Sequence, residues 1–167
     1  TWAEIKKWLN RSMVRDLFEL KATSIEAKES PESWRVDAIT CREEQAESFA
    51  GQHAASSTSF YIFDEASAIP EVIYDVAEGG LTDGEPMMFL FGNPTRNSGR
   101  FFECFHKRAK YWNTRRIDSR SVAISNKKII AQWKEEYGED SDFFKVRVKG
   151  EFPSQGSDQF IPAELVR

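Results

Sequence analysis

Two adjacent carboxylates, Asp64 and Glu65, directly follow the apolar and aromatic run FYIF at positions 60 to 63. A run this short and this apolar predicts a buried strand, and burial on both faces is typical of a central strand in a parallel sheet. The carboxylate pair would then lie at the carboxyl end of the strand, where ligands bind in open α/β sheets. There, one carboxylate could help to hold Mg²⁺ on nucleotide phosphates and the other could polarise an attacking water, as in the Asp-Glu form of the Walker B pattern.

The carboxylate pair also has a simpler interpretation, because Asp-Glu follows apolar runs at ordinary strand ends, where it begins a solvated loop. A second apolar run, MMFLF at positions 87 to 91, favours the functional interpretation. Between the two runs, Pro70 is well placed in the first turn of a helix whose apolar face includes Val72, and Gly79-Gly80 would end that helix. This strand–helix–strand unit predicts a right-handed βαβ crossover.

Short polar residues follow the second predicted strand as they follow the first. Gly92 would let the backbone turn or approach a ligand closely. Asn93 and Thr95 could bond a γ-phosphate or the attacking water, although Asn-Pro-Thr also forms ordinary turns. Because polar residues end two successive buried strands at one sheet edge, the pattern favours a nucleotide site.

The rest of the chain predicts an alternation of helices and strands. The expected elements are a helix over residues 2 to 9, strands at 18 to 25 and 34 to 39, a helical turn at 43 to 49, a helix over 101 to 109, a strand at 111 to 117, a helix capped by Ser125 and ended by Gly138, and a short helix capped at 140 to 141. His53 lies in the expected loop before the first central strand. It could face a nucleotide, but a polar surface role is the commoner one for such a residue.

Size and charge set limits on the function. The chain has 167 residues, 40% of them apolar, and a net charge of −4. It is long enough for one domain with a core, has no apolar run long enough to span a membrane, and is not basic enough to be coated with DNA over its whole surface. Residues 96 to 120, however, carry 8 basic and 2 acidic side chains. This basic block is either a solvated face or a phosphate-binding region, with Arg96 and Arg100 as candidate contacts.

Taken jointly, these motifs resemble the ATPase domain of phage terminase large subunits, the DNA-packaging motors. The matching segments are AGQHA, YIFDEASAIPEVIYD, LFGNPTRNSGRFFECF and YGEDSDFFKVRVKGEFP, and the resemblance covers roughly residues 18 to 165. It implies an α/β fold of the additional-strand P-loop NTPase type, with a mainly parallel sheet and flanking helices, incomplete at its N-terminal side. Residues 1 to 153 would form a partial ATPase domain lacking the Walker A segment, and residues 154 to 167 a linker toward an absent nuclease domain.

The resemblance also implies residue roles. Asp64 would be the Mg²⁺-site acid, acting through water, and Glu65 the catalytic base. Gly92, Asn93 and Thr95 would form the ATP-coupling motif, and the arginines of the loop after it would contact phosphate or DNA. The cofactors would be ATP and Mg²⁺. The partners would be double-stranded DNA, a terminase small subunit and a portal protein, with the motor forming a ring of identical subunits in the host cytoplasm, without a membrane.

One departure from the family pattern is plain. The 167 residues contain no G-x-x-x-x-G-K-[ST] phosphate loop. Without the backbone amides and lysine of that loop, this fragment alone is expected to be inactive, with ATP hydrolysis confined to the full-length parent. Two alternatives stay open at this stage, namely another motor ATPase such as a helicase, and an inactive prophage remnant that serves only as a binding module.

Overall fold

The computed structural model describes residues 1 to 50, 58 to 82 and 84 to 154. The chain divides into two compact units. The first contains Thr1–Phe60 and Asp75–Met87, and the second contains Tyr61–Tyr74 and Met88–Arg167. His53 and most of the AGQHA segment, and nearly all of the expected linker, lie outside the described residues.

The first unit contains an amphipathic helix and an antiparallel sheet. Helix α1, Trp2–Asn10, confirms the first predicted helix. Strands β1 (Phe18–Leu20), β2 (Ser24–Ala27) and β3 (Arg35–Asp37) follow, and β2 lies between the other two. The single strand predicted at 18 to 25 is therefore wrong, because the chain reverses between β1 and β2 and pairs Leu20 with Ile25. The expected helical turn at 43 to 49 forms a short 3-10 helix.

Strands β4 (Phe60–Phe63) and β5 (Met87–Leu90) pair with each other. The carbonyls of Ser59 and Phe63 accept hydrogen bonds from the amides of Met87 and Phe91, both at 2.9 Å. Donor and acceptor are the same number of residues apart in both bonds. The strands therefore run parallel, and their carboxyl ends lie at one edge of the sheet.

The prediction that both strands are buried on two faces is wrong in this structure. Tyr61 and Phe63 are buried, whereas the side chain between them, Ile62, is 65% exposed. Strand β5 alternates in the same way, with Phe89 exposed. Each strand therefore has one covered face and one that faces solvent, and the apolar composition of the runs did not reveal this difference.

Helix α2, Glu71–Gly79, forms where the sequence predicts it and begins directly after Pro70, which was expected in its first turn. Its most deeply buried side chains are Ile73, Tyr74 and Ala77, whereas Val72, which the sequence placed on the apolar face, is exposed. Helix α3, Gly99–Phe105, starts two residues earlier than predicted and ends four residues earlier.

The C-terminal helices form a separate small cluster of the second unit. Helix α4, Lys127–Tyr137, is capped by the side chain of Asn126 rather than by Ser125, and it ends at Gly138, whose φ is 82°. The short helix α5, Asp142–Phe144, is capped by Ser141, as predicted, and continues into a π-helical turn at Lys145–Lys149. The cluster core consists of Ile130, Phe144 and Val148.

The strand predicted at 111 to 117 is wrong. A 3-10 turn at Ala109–Tyr111 is followed by residues without regular structure up to the next turn at Ser119–Ser121.

The described part of the chain is a mixed α/β structure with a small parallel sheet, an antiparallel sheet and helices, while the P-loop NTPase type remains a prediction. None of its helices combines the length and apolarity that crossing a bilayer would require.

Candidate functional site at the end of the parallel strands

The predicted acidic pair lies directly after β4. Both Asp64 and Glu65 are exposed, while Phe63 before them is almost fully buried. The buried Phe63 side chain fixes the end of the strand, and the two acidic residues that follow it are accessible to solvent. The Asp64 carboxylate accepts a weak hydrogen bond of 3.2 Å from the amide of Glu65.

Glu65 has a left-handed backbone, with φ 55° and ψ 42°. It is the one non-glycine residue of the described chain with positive φ. Such a conformation costs a non-glycine residue about 1–3 kcal/mol and persists only where its surroundings enforce it. Here the next residue is held firmly, because the amide of Ala66 donates to the carbonyl of Phe91 at 2.8 Å.

Gly92 lies against this turn. A Cβ atom at position 92 would come within 2.9 Å of the Ala66 amide nitrogen and 3.3 Å of the Glu65 Cα. The first of these distances is one that real Cβ atoms essentially never show. The close approach that the sequence predicted for Gly92 is therefore made to the backbone at the acidic pair, and only glycine permits it.

The two strand ends are also joined through side chains. The hydroxyls of Ser67 and Thr95 share a hydrogen bond of 2.9 Å. Asn93 is half-buried, and its carbonyl accepts a bond from the Thr95 amide at 2.9 Å. The structure thus brings Asp64, Glu65, Gly92 and Thr95 to one sheet edge. The sequence analysis did not single out Ser67, although its place in the run Asp-Glu-Ala-Ser was a usable signal.

Arg100 is not accessible in the way that a phosphate-binding arginine would be. It is only 4% exposed, and its guanidinium contacts Glu71 Oε1 through Nη2 at 2.7 Å and through Nε at 2.8 Å. Its backbone amide also donates to the Glu71 carboxylate, at 3.1 Å. In this arrangement Arg100 connects the start of α3 to the start of α2. Arg96, by contrast, lies exposed in the loop between β5 and α3.

Much of the basic block between residues 96 and 120 is neutralised by acidic side chains of the same unit. Lys107, and secondarily Arg108, hold the pKa of the Glu103 carboxyl below its usual value. The carboxylates of Asp118 and Glu139 both pair with Arg120, at 2.6 Å each. The local excess of positive charge is therefore smaller in the folded protein than the residue count suggests.

The donor set at the strand ends fits Mg²⁺ only in the presence of a further ligand. In the residues that the structure describes, no three His, Cys, Asp or Glu side chains lie close enough to form a metal site of their own. Mg²⁺, however, is usually held by one or two carboxylates together with substrate phosphates and water. The exposed carboxylate of Asp64 is one group of that kind.

Comparison with known proteins agrees with the motif resemblance. No protein-family model matches the chain, and no solved structure matches it. The chain is 30% identical over 136 residues to a protein of Enterobacteria phage P7 named as a probable terminase, large subunit. The match covers 77% of this chain but 27% of the phage protein, so the chain spans about a quarter of the length of that relative. Over most of its own length, the chain is therefore homologous to a phage protein that is named as a probable terminase, large subunit.

Proposed function

We propose that the chain is part of the ATP-hydrolysing motor of a terminase large subunit, which drives viral DNA into a capsid. One observation carries this proposal: two parallel strands end side by side, one in Asp64-Glu65 and the other in Gly92-Asn93-Pro94-Thr95. The hydrogen bond between Ser67 and Thr95 and the name of the P7 relative both support it.

In this proposal, each residue at the sheet edge has a separate task. Asp64 would hold Mg²⁺ through water, and the bound ion would supply positive charge against the nucleotide phosphates. Glu65 accepts a hydrogen bond from the attacking water and takes its proton. Asn93 and Thr95 lie on the adjoining strand end, where a change at the phosphate would reach the Ser67–Thr95 bond. That bond would then pass the change to the rest of the motor.

The partners follow from the same proposal. They are double-stranded DNA, a terminase small subunit and a portal protein, and the working form is a ring of identical subunits in the bacterial host cytoplasm. Among the basic residues of the 96 to 120 block, exposed Arg96 is a better candidate for a DNA phosphate contact than buried Arg100.

Glu65→Gln in the full-length terminase subunit tests the proposal. The amide keeps the shape of the side chain but cannot accept a proton, so phosphate release should fall by at least about 100-fold while ATP binding is retained. The matched control is Glu135→Gln, the same chemical change at an exposed position of α4. Turnover at the control level in Glu65→Gln would refute the assignment of the base.

A further inference from the structure

The residue after Glu65 is held by hydrogen bonds at both of its peptide groups. Its amide, Ala66 N, donates to the Phe91 carbonyl at 2.8 Å, and its carbonyl accepts a bond of 2.6 Å from the hydroxyl of Tyr74. Tyr74 lies on α2 and is 1% exposed. This main-chain carbonyl of the acidic turn therefore accepts its short hydrogen bond from a side chain eight residues further along the chain, and a longer one of 3.4 Å from the Ile69 amide.

The Tyr74 ring has packing partners that fix its position. The ring of Phe63 lies 5.2 Å from it, centroid to centroid. The Arg100 guanidinium lies 5.8 Å from the same ring centroid, and this arginine is itself paired with Glu71. Packing of this kind holds a side chain in one rotamer, so the hydroxyl stays directed at the Ala66 carbonyl.

The peptide group that contains the Ala66 amide matters because Glu65 is in the left-handed region. The Ala66 carbonyl, which Tyr74 bonds, belongs to the next peptide group and holds the far side of the same turn. The peptide that follows Glu65 sets its ψ, and a glutamate released from this restraint would return to the commoner right-handed or extended conformations. Its carboxylate would then point in another direction. Gly92 restrains the turn from the β5 side, and Tyr74 restrains it from the α2 side.

We propose that Tyr74, held in place by the Arg100–Glu71 pair, is a positioning residue for Glu65. It acts through the Ala66 carbonyl and keeps the carboxylate directed toward the attacking water. This inference rests on the proposed function, since it gives Glu65 the role of base. It also gives buried Arg100 a task other than phosphate binding.

The test uses Tyr74→Phe in the full-length subunit, because this change removes the hydroxyl and keeps the packed ring. We expect kcat for ATP hydrolysis to fall by roughly ten- to a hundredfold with KM for ATP unchanged, since misplacement of a catalytic group affects the chemical step rather than binding. Amide hydrogen exchange in the 64 to 68 segment should accelerate by about five- to tenfold. The control is Ile130→Val, which weakens the separate α4 core and should change neither quantity.

Glu65→Gln, measured in parallel, separates the two ideas. If Glu65→Gln is inactive and Tyr74→Phe has wild-type kcat and exchange, the positioning role is refuted while the proposed function stands. If Glu65→Gln keeps full turnover, the base assignment fails, and the exchange measurement alone decides whether Tyr74 fixes the turn. Slower turnover in Ile130→Val as well would show a general stability effect and would also refute the positioning role.

Discussion

Replacing Gly92 by alanine is the most direct perturbation of the contact between the two strand ends. The added Cβ would lie 2.9 Å from the Ala66 nitrogen and 3.3 Å from Glu65 Cα. These are backbone atoms, so no side-chain rotation can relieve the overlap. The ends of β4 and β5 must separate by several tenths of an ångström, which strains the 2.8 Å bond between Ala66 and Phe91.

Forced overpacking of this kind typically costs about 1–3 kcal/mol of the free energy of unfolding. For a chain of this size, each kcal/mol corresponds to a fall of about 2–4 °C in Tm. The same displacement moves the Glu65 turn, so we also expect the ATP turnover of the full-length subunit to fall by roughly tenfold or more. Urea denaturation followed by tryptophan fluorescence measures the first effect, and phosphate release measures the second.

Gly79 supplies the matched control. A Cβ at this position of α2 would meet no atom within 4 Å. Gly79→Ala should therefore leave stability unchanged or raise it by up to about 1 kcal/mol, because alanine is the better helix former. Equal stability of the Gly92→Ala and Gly79→Ala proteins would refute the close packing of the strand ends.

Three further predictions concern other parts of the chain. Thr95→Val removes one hydroxyl of the pair at the strand ends, so DNA movement per ATP should fall while ATP turnover persists; an unchanged ratio would contradict the coupling role. Arg96→Glu should weaken DNA binding and lower the magnitude of its salt slope by about one or more; an unchanged salt slope would show that this exposed arginine does not contact DNA phosphate. Lys134, and secondarily Arg120, lower the pKa of Glu139 to about 2 from its usual 4.5, so the ionised carboxylate stabilises the fold above pH 4.5 and this contribution is lost as pH falls toward 2. The stability advantage over Glu139→Gln should accordingly be constant at higher pH and shrink across that interval, and a pH-independent difference in urea denaturation would count against the ion pairs.

Signals confined to a few neighbouring residues predicted local structure well. Pro70 marks the residue before α2, Gly138 ends α4, and Ser141 caps α5. Each depends on the backbone preferences or capping chemistry of adjacent residues, so no distant contact was needed. The cap of α4 was misplaced by one residue, from Asn126 to Ser125, because neighbouring polar side chains offer similar capping chemistry.

Errors arose where a distant partner decides the outcome. Residues 111 to 117 are predicted as a strand, but no strand of the described chain pairs with them, and a strand without a neighbour is not formed. The exposure of Ile62 and Phe89 could not be foreseen either, since an apolar composition does not reveal which face a sheet covers. Arginine is a residue type that often binds phosphate, but Arg100 pairs with Glu71, which lies far from it in the sequence.

The sequence by itself determined the types of group available at the candidate site and their position at the ends of two apolar runs. Only the tertiary structure decided that Gly92 lies against the Glu65 turn, that Ser67 bonds Thr95, and that Tyr74 bonds Ala66. The physical reason is the distance along the chain over which each feature is determined. Adjacent residues determine where a strand or helix forms. The direction of a carboxylate, in contrast, is set by whichever backbone and side-chain atoms the fold brings within hydrogen-bonding distance.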